Sequence, residues 1–201
     1  MDALTDQAHF DALYAESDDP WSTLESWYEM RKRTLLCAAL PQWYYDTAIE
    51  PGCGPGALTE MLGPRCGRLV ASDLNHRAVT AAQRRVEHMP HVKVECASFP
   101  AGVAAEPVDL IVLCELGYYF EDADWAAAVA SVDALLKPTG TVVACHWKHP
   151  FEHRRNSTDA VHSQIAAMPG LHRQSRHEEA DFLLEVWTRQ TESIAQREQR
   201  L

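Results

Sequence analysis

Two stretches of this chain, residues 108–114 (VDLIVLC) and 141–147 (TVVACHW), are apolar at almost every position. A strand with one wet face alternates apolar and polar side chains. A continuous apolar run must be covered on both faces, which is the situation of a strand inside a parallel sheet. Shorter strand-like runs at 47–50, 68–73 and 92–96 precede them, and helix-compatible segments near 57–62, 75–88 and 122–136 lie between. The last of these segments ends at Lys137-Pro138-Thr139-Gly140. This alternation predicts an α/β chain with a doubly wound, mostly parallel sheet and helices on both faces. Two further runs, 171–176 and 182–189, flank the polar stretch His177-Glu178-Glu179-Ala180-Asp181 and read as an antiparallel hairpin at one sheet edge. Ahead of the sheet, Ser22 followed three residues later by Glu25 predicts a capped helix running to Leu40, where Pro41 stops it. With 201 residues, 46% of them hydrophobic, the chain suits one domain with a sizeable core.

The charge is uneven. The net is −11, from 29 acidic and 18 basic residues, and eight of the acids precede Arg31 with no Lys or Arg among them. The remaining 172 residues carry a net of only −3. A chain that wraps nucleic acid needs a basic surface, so that class is excluded. No stretch approaches the roughly 18 continuous apolar residues of a membrane span. The acidic start lacks the basic-then-apolar layout of a secretion signal. Cys37, Cys53, Cys66, Cys96, Cys114 and Cys145 form no C-x-x-C pair, so no zinc or thioredoxin-like motif is written here. They read as small buried hydrophobes in a reducing, cytoplasmic setting. The spacing of His146, His149 and His153 fits no zinc signature, and no metal is expected.

The sharpest local motif is Glu50-Pro51-Gly52-Cys53-Gly54-Pro55-Gly56-Ala57, placed after a strand and before a helix. Glycines there let backbone approach a ligand, and a helix N-terminus supplies free N–H groups. Asp73 follows Gly52 by 21 residues, at the end of the second strand, where a carboxylate can accept both hydroxyls of a ribose. Gly52, Gly54 and Ala57 also satisfy G-x-G-x-x-G/A, so the glycines alone leave a nicotinamide dinucleotide open. The acid-x-G-x-G-x-G spacing with Glu50 two residues before Gly52 resembles motif I of class I methyltransferases, which bind S-adenosylmethionine. The C-terminal hairpin is similar to the antiparallel last strands of that fold.

More of the chain resembles one family. Asp18-Asp19-Pro20-Trp21, Trp27-Tyr28-Glu29-x-Arg31-Lys32, Glu50-x-Gly52-Cys53, Leu58-Thr59-Glu60-x-Leu62, Asp109-Leu110-Ile111-Val112 and Glu115-Leu116-Gly117-Tyr118-Tyr119 are similar to the nodulation protein S (NodS) methyltransferases. The resemblance implies a Rossmann-like, seven-stranded sheet, a single domain over 1–201 with 1–40 as an N-terminal lid, and S-adenosylmethionine as cofactor with S-adenosylhomocysteine as product. It implies N-methylation of a small amine, an amino sugar or deacetylated chitooligosaccharide-like glycoconjugate. It places Glu50, Gly52, Cys53, Gly54, Gly56, Asp73, Leu74 and Cys114 around the cofactor. Ser98 and Phe99 fall near adenine, with serine where many relatives have aspartate. Tyr14, Trp21, Tyr28 and Arg31 are candidates for the lid, with Arg31 a candidate partner for the cofactor carboxylate.

An amine must attack as the free base, so an acceptor of one proton is useful. Glu115, at the end of the fourth strand, is the carboxylate best placed to hold an ammonium or take its proton. Tyr118 and Tyr119 follow as a wall, and His146, at the end of the fifth strand, is a second candidate base. The residues leave open an O-methyltransferase, a non-catalytic S-adenosylmethionine-binding protein and a nicotinamide oxidoreductase. They leave the oligomeric state open as well.

Overall fold

The computed structural model describes residues 3–101 and 106–200, with side chains from Gln7 onward; the side chains of Asp2 and Asp6 in the acidic N-terminal segment lie outside that set. Its elements are α1 (Ala3–Glu16), α2 (Trp27–Ala39), β1 (Tyr45–Pro51), α3 (Ala57–Leu62), β2 (Cys66–Asp73), α4 (His76–Arg85), β3 (Val92–Cys96), β4 (Val108–Cys114), α5 (Asp122–Leu135), β5 (Leu136–Trp147), α6 (Thr158–Ala166), β6 (His172–Glu178), β7 (Phe182–Thr188) and α7 (Ile194–Arg197).

The strands form one seven-stranded sheet in the order β3-β2-β1-β4-β5-β7-β6. β1 to β5 are parallel; β7 is antiparallel to both β5 and β6. The chain winds outward from β1 to β3, returns to lay β4 beside β1, and winds outward again to β5. The direction reverses between β1 and β4, and in a sheet of this kind the carboxyl ends at such a reversal bound the ligand crevice. This is the expected Rossmann-like architecture, and Ile111, Val112, Val142, Val143 and Ala144 in the two continuous apolar runs are fully buried.

Alternate residues of each inner strand serve opposite faces. Ile49, Ile111, Leu113, Val142 and Ala144 pack under Trp125, Val129 and Val132 of α5 and Val161 and Ile165 of α6. Ala48, Leu110, Val112 and Val143 meet Leu36 of α2 and Leu58 and Leu62 of α3. Ala71 and Val94 are covered by Val79 and Ala82 of α4.

Several boundaries differ from the sequence reading; α4, expected near 75–88, ends at Arg85. The cap expected at Ser22 lies at Ser26, whose hydroxyl accepts from Glu29 N. The Asp19 carboxylate takes the Thr23 and Leu24 amides first, and Ser22 is turned to φ +52. The helix expected over 122–136 stops at Leu135, and residues 137–140 enter β5 instead. Leu136 pairs with Val108 but Thr141 with Leu110, so the intervening residues bulge out, tied back by Lys137 Nζ to Asp109 Oδ2 at 2.8 Å. His177 and Glu178 extend β6, which shortens the expected turn to 179–181. The sequence reading assigned no helix to α1 or α6. No helix among the described residues is long and apolar enough to cross a membrane.

Candidate active site

A cavity of about 1190 Å³ opens over the carboxyl ends of β1 and β4. Single-ligand pockets run to roughly 1,000 Å³, so this one has room for two reactants. One half is built on the glycine turn. Gly56 sits at φ +82, and a Cβ there would stand 2.9 Å from Cα and Cβ of Ala82. That glycine is therefore what lets the turn lie against α4. Gly54 N donates to Asp73 Oδ2 and Asn75 N to Asp73 Oδ1, both at 2.9 Å, so the carboxylate is clamped by backbone with lone pairs to spare. Burial raises the Asp73 pKa in spite of those bonds.

Glu50, at the end of β1, is 2% exposed and lines the cavity, and its Oε2 has no partner. Burial, reinforced by the Asp73 charge, pushes its carboxyl up to about 8. A buried carboxyl with an unanswered oxygen suits a cationic ligand group, whose charge would offset the cost of ionising it.

The other half lies between α2 and the loop after β4. Glu115 has φ +52, an uncommon conformation for a non-glycine residue. Its Oε1 accepts from Lys32 Nζ at 2.5 Å; its Oε2 accepts from Tyr118 OH at 2.5 Å and Trp147 N at 2.9 Å. Lys32 also donates to Glu29 Oε1 at 2.8 Å and is only 3% exposed. Burial opposes the Lys32 charge, but Glu115, with Cys114 and Glu29, more than offsets it and raises the ammonium pKa. Two carboxylates around one ammonium leave this array a net −1. Aromatic rings form the walls: Tyr118 and Tyr119 meet edge-on at 5.0 Å, and Phe10 of α1 packs on Tyr119 at 5.1 Å. α1 is held over the Asp73 end of the cavity by Gln7 Nε2 donating to Leu74 O and by Asn75 Nδ2 donating to Asp11 Oδ1.

A sequence profile of the nodulation protein S family matches residues 9–151. The chain belongs to the nodulation protein S family. It is 32% identical over 144 residues to nodulation protein S of Sinorhizobium fredii, covering 70% of this chain and 67% of that protein. It is 31% identical over 147 residues to nodulation protein S of Rhizobium tropici, covering 71% of this chain and 62% of the relative. The chain thus spans about two thirds of these relatives' lengths. Among solved structures, the N-methyltransferase NodS from Bradyrhizobium japonicum WM9 in complex with S-adenosylhomocysteine superposes with a TM-score of 0.79 and 25% identity, over 90% of this chain and 97% of that one. A protein from Pseudomonas syringae provisionally described as a methyltransferase is 40% identical, with a TM-score of 0.72 over 81% of this chain and 99% of its own.

In this NodS-family chain the cavity gathers most of the residues that the sequence singled out. Glu50, Gly52, Cys53, Gly54, Asp73, Leu74, Ser98, Phe99, Cys114, Glu115, Tyr118 and Tyr119 line it, with Trp21 and Tyr28 from the N-terminal segment. Three do not. Gly56 stands behind the turn, against α4. Arg31 points away from the cavity, and its guanidinium grips both oxygens of Glu179 at 2.9 and 2.6 Å, in the β6–β7 turn. A helix turns about 100° per residue, so Tyr28 and Lys32, one turn apart, face the cavity while Arg31 looks to the hairpin. Its carboxylate partner is internal to the fold. His146 is fully buried and lines no part of the cavity, so it is not positioned as a base. His149 and His153 diverge from it, His149 toward Asp181 and His153 against the ring of His9.

Lys32, Glu29, Gln7, Phe10 and Trp147 line the cavity but were missed as site residues in the sequence reading. Phe10 and Tyr14 stand four residues apart, which is the one sequence signal that α1 presents an aromatic stripe. Gly56→Ala is expected to destabilise the fold by about 2 kcal/mol or more, because the Cβ meets α4 backbone and the φ is left-handed. A urea titration beside the wild type measures it.

Proposed function

We propose that this S-adenosylmethionine-dependent methyltransferase N-methylates a small aminated acceptor, with an amino sugar or deacetylated chitooligosaccharide-like glycoconjugate as the substrate class. The observation that carries the acceptor assignment is the Glu29–Lys32–Glu115 array. It is shielded by aromatic rings, lies beside the glycine turn, and has one negative charge left for the ammonium that forms on the acceptor nitrogen. When bound, S-adenosylmethionine supplies a methyl group on a sulfonium, activated for in-line displacement.

The chain's own residues fit that cofactor. Asp73 keeps acceptor capacity for two ribose hydroxyls. Glu50 offers its unpartnered oxygen to an α-ammonium group. Ser98 and Phe99 stand past β3, where adenine is expected, and Leu74, next to Asp73 in sequence, lines the same cavity. The acceptor half does the orienting. Glu115, fixed by Lys32, Tyr118 and Trp147 N, presents its carboxylate edge to the amine, and Tyr118 and Tyr119 confine the approach. Holding two reactants in line supplies most of the acceleration in such a reaction. The amine enters as free base from solution, and Glu115 with Glu29 stabilises the ammonium that forms. Residues 1–40 serve as the lid of a single catalytic domain. The six unpaired cysteines suit a cytoplasmic enzyme.

The test is methyl-labelled cofactor with paired acceptors, read by mass. Glucosamine or chitosan oligomers are expected to gain the label, and N-acetylglucosamine, which has no basic amine, is expected to gain none. Equal labelling of both would sink the amine assignment.

A further inference from the structure

Behind the site, three buried polar residues stand in line. Gly117 N donates to His146 Nε2 at 3.0 Å; His146 Nδ1 lies 3.0 Å from His162 Nε2; His162 Nδ1 lies 2.9 Å from Glu185 Oε2. His146, His162 and Glu185 are 0%, 2% and 2% exposed. They come from β5, α6 and β7. The far oxygen of Glu185 accepts from Arg173 and Arg176 of β6 at 3.0 Å each.

The direction of every proton in this chain is forced. A backbone amide only donates, so His146 Nε2 carries a lone pair and its proton sits on Nδ1. That proton points at His162 Nε2, which must accept. The His162 proton is therefore on Nδ1, donated to Glu185. An imidazolium at His162 would set two N–H groups against each other across 3.0 Å, so the contact with Glu185 is a hydrogen bond from a neutral ring rather than an ion pair. Burial, with the charges of Lys32 and Arg154, opposes charging His146.

The end of the chain at Gly117 matters because of what that turn carries. Glu115, two residues earlier, is held at φ +52, and Tyr118, next in sequence, donates to Glu115. The Tyr118 ring packs edge-on to the His146 ring at 5.3 Å. A Cβ on Gly117 would come within 2.5 Å of Val161 and 2.9 Å of Trp125, so the turn is pressed onto α5 and the helix that bears His162.

We propose that His146 and His162 are positioning residues for methyl transfer: anchored by Glu185, they present a fixed acceptor to the Gly117 amide and so hold Glu115 and Tyr118 in the shape that receives the acceptor amine. The inference rests on the reading of Glu115 and Tyr118 given above. Neither ring touches substrate or cofactor. Protonation of His146 in acid removes the acceptor and frees the turn.

Two-bond proton–nitrogen spectra of protein labelled at histidine test it, with His146→Gln and His162→Gln assigning the signals. Two rings are expected with the proton on Nδ1, the less populated tautomer in water, and His146 is expected to stay neutral below the ordinary value of about 6.5. The Gly117 amide is expected to resist hydrogen exchange in wild type and to lose that protection in His146→Leu. With glucosamine as acceptor, His146→Leu is expected to lower kcat/KM by about tenfold or more, with S-adenosylhomocysteine affinity within about twofold of wild type. His146→Gln, whose amide oxygen reaches the place of Nε2, is expected to restore most of the rate and to leave an acid limb set by protonation of the acceptor amine alone. A ring with its proton on Nε2, a His146 that titrates normally, or a Gln variant as impaired as Leu would overturn the inference. If wild type methylated no amine, the acceptor reading would fall, while the tautomers and the Gly117 exchange would still decide the hydrogen-bond chain.

Discussion

Glu50→Gln is expected to stabilise the free protein and weaken its hold on S-adenosylhomocysteine. The folded carboxyl titrates at about 8 against an ordinary 4.5, because burial penalises its charge. An acid whose pKa is raised by folding gives stability that is fully present below the unfolded pKa and is lost as pH rises through the folded one. The free wild type is therefore expected to lose stability between pH 4.5 and 8. Glutamine carries no charge to penalise, so at pH 8.5 the variant is expected to gain about 2 kcal/mol, roughly 5 °C in Tm for a chain of this size. Binding runs the other way. In the proposed site the cofactor's α-ammonium pairs with the ionised carboxylate, so wild-type affinity is expected to rise between pH 6 and 8. The variant is expected to bind about 10- to 100-fold more weakly, without that pH dependence. Calorimetric titrations with S-adenosylhomocysteine at several pH values, beside thermal melts of the free protein, measure both. A variant that binds as wild type does would remove Glu50 from the cofactor site.

The Lys32–Glu115 pair separates structure from turnover. Lys32→Met leaves Glu29 and Glu115 facing each other without their shared cation. Removing one partner of a fully buried pair costs about 3–5 kcal/mol; Glu115 and Glu29 keep some access to solvent, so about 2–3 kcal/mol is expected here. Glu115→Gln keeps the shape, keeps an acceptor for Tyr118 or Trp147 N, and leaves Glu29 beside Lys32. It is expected to cost little stability and to leave S-adenosylhomocysteine binding within about threefold, but to lower kcat/KM for an amine by about 100-fold or more, because the array loses its net negative charge. Steady-state kinetics with an amine acceptor, paired with urea melts, read the two effects apart. Full activity in Glu115→Gln would mean that the amine is held elsewhere.

What the sequence disclosed follows from how local each signal is. The inner strands announce themselves because both of their faces are covered, so β4 and residues 141–147 of β5 are apolar at almost every position. The glycine turn is legible because its backbone geometry and its approach to α4 are properties of a few adjacent residues, and Asp73 is legible because strand length fixes its distance from them. Ser22 misled because a serine three residues before a glutamate has the pattern of a cap; the competing carboxylate of Asp19 decides which amides remain free. Arg31 misled because its partner, Glu179, lies 148 residues away and meets it only once the hairpin is folded. His146 was legible as a strand-end histidine, but its direction is set by His162 on a helix whose single apolar stripe, Val161 and Ile165, is too narrow to stand out. Lys32 hides for a related reason. Its spacing from Glu29 suggests a surface pair on one helix, and its second partner, Glu115, is 83 residues further on.

The glycine turn with Glu50 and Asp73 on one side, and the Glu29–Lys32–Glu115 array on the other, are what support the proposal that this methyltransferase delivers its methyl group to nitrogen. The most direct measurement supplies cofactor carrying a carbon-13 methyl and glucosamine as acceptor, and reads the product by NMR. The account predicts a single labelled methyl on the amino nitrogen, formed by wild type and lost in Glu115→Gln. Label found only on oxygen would contradict it.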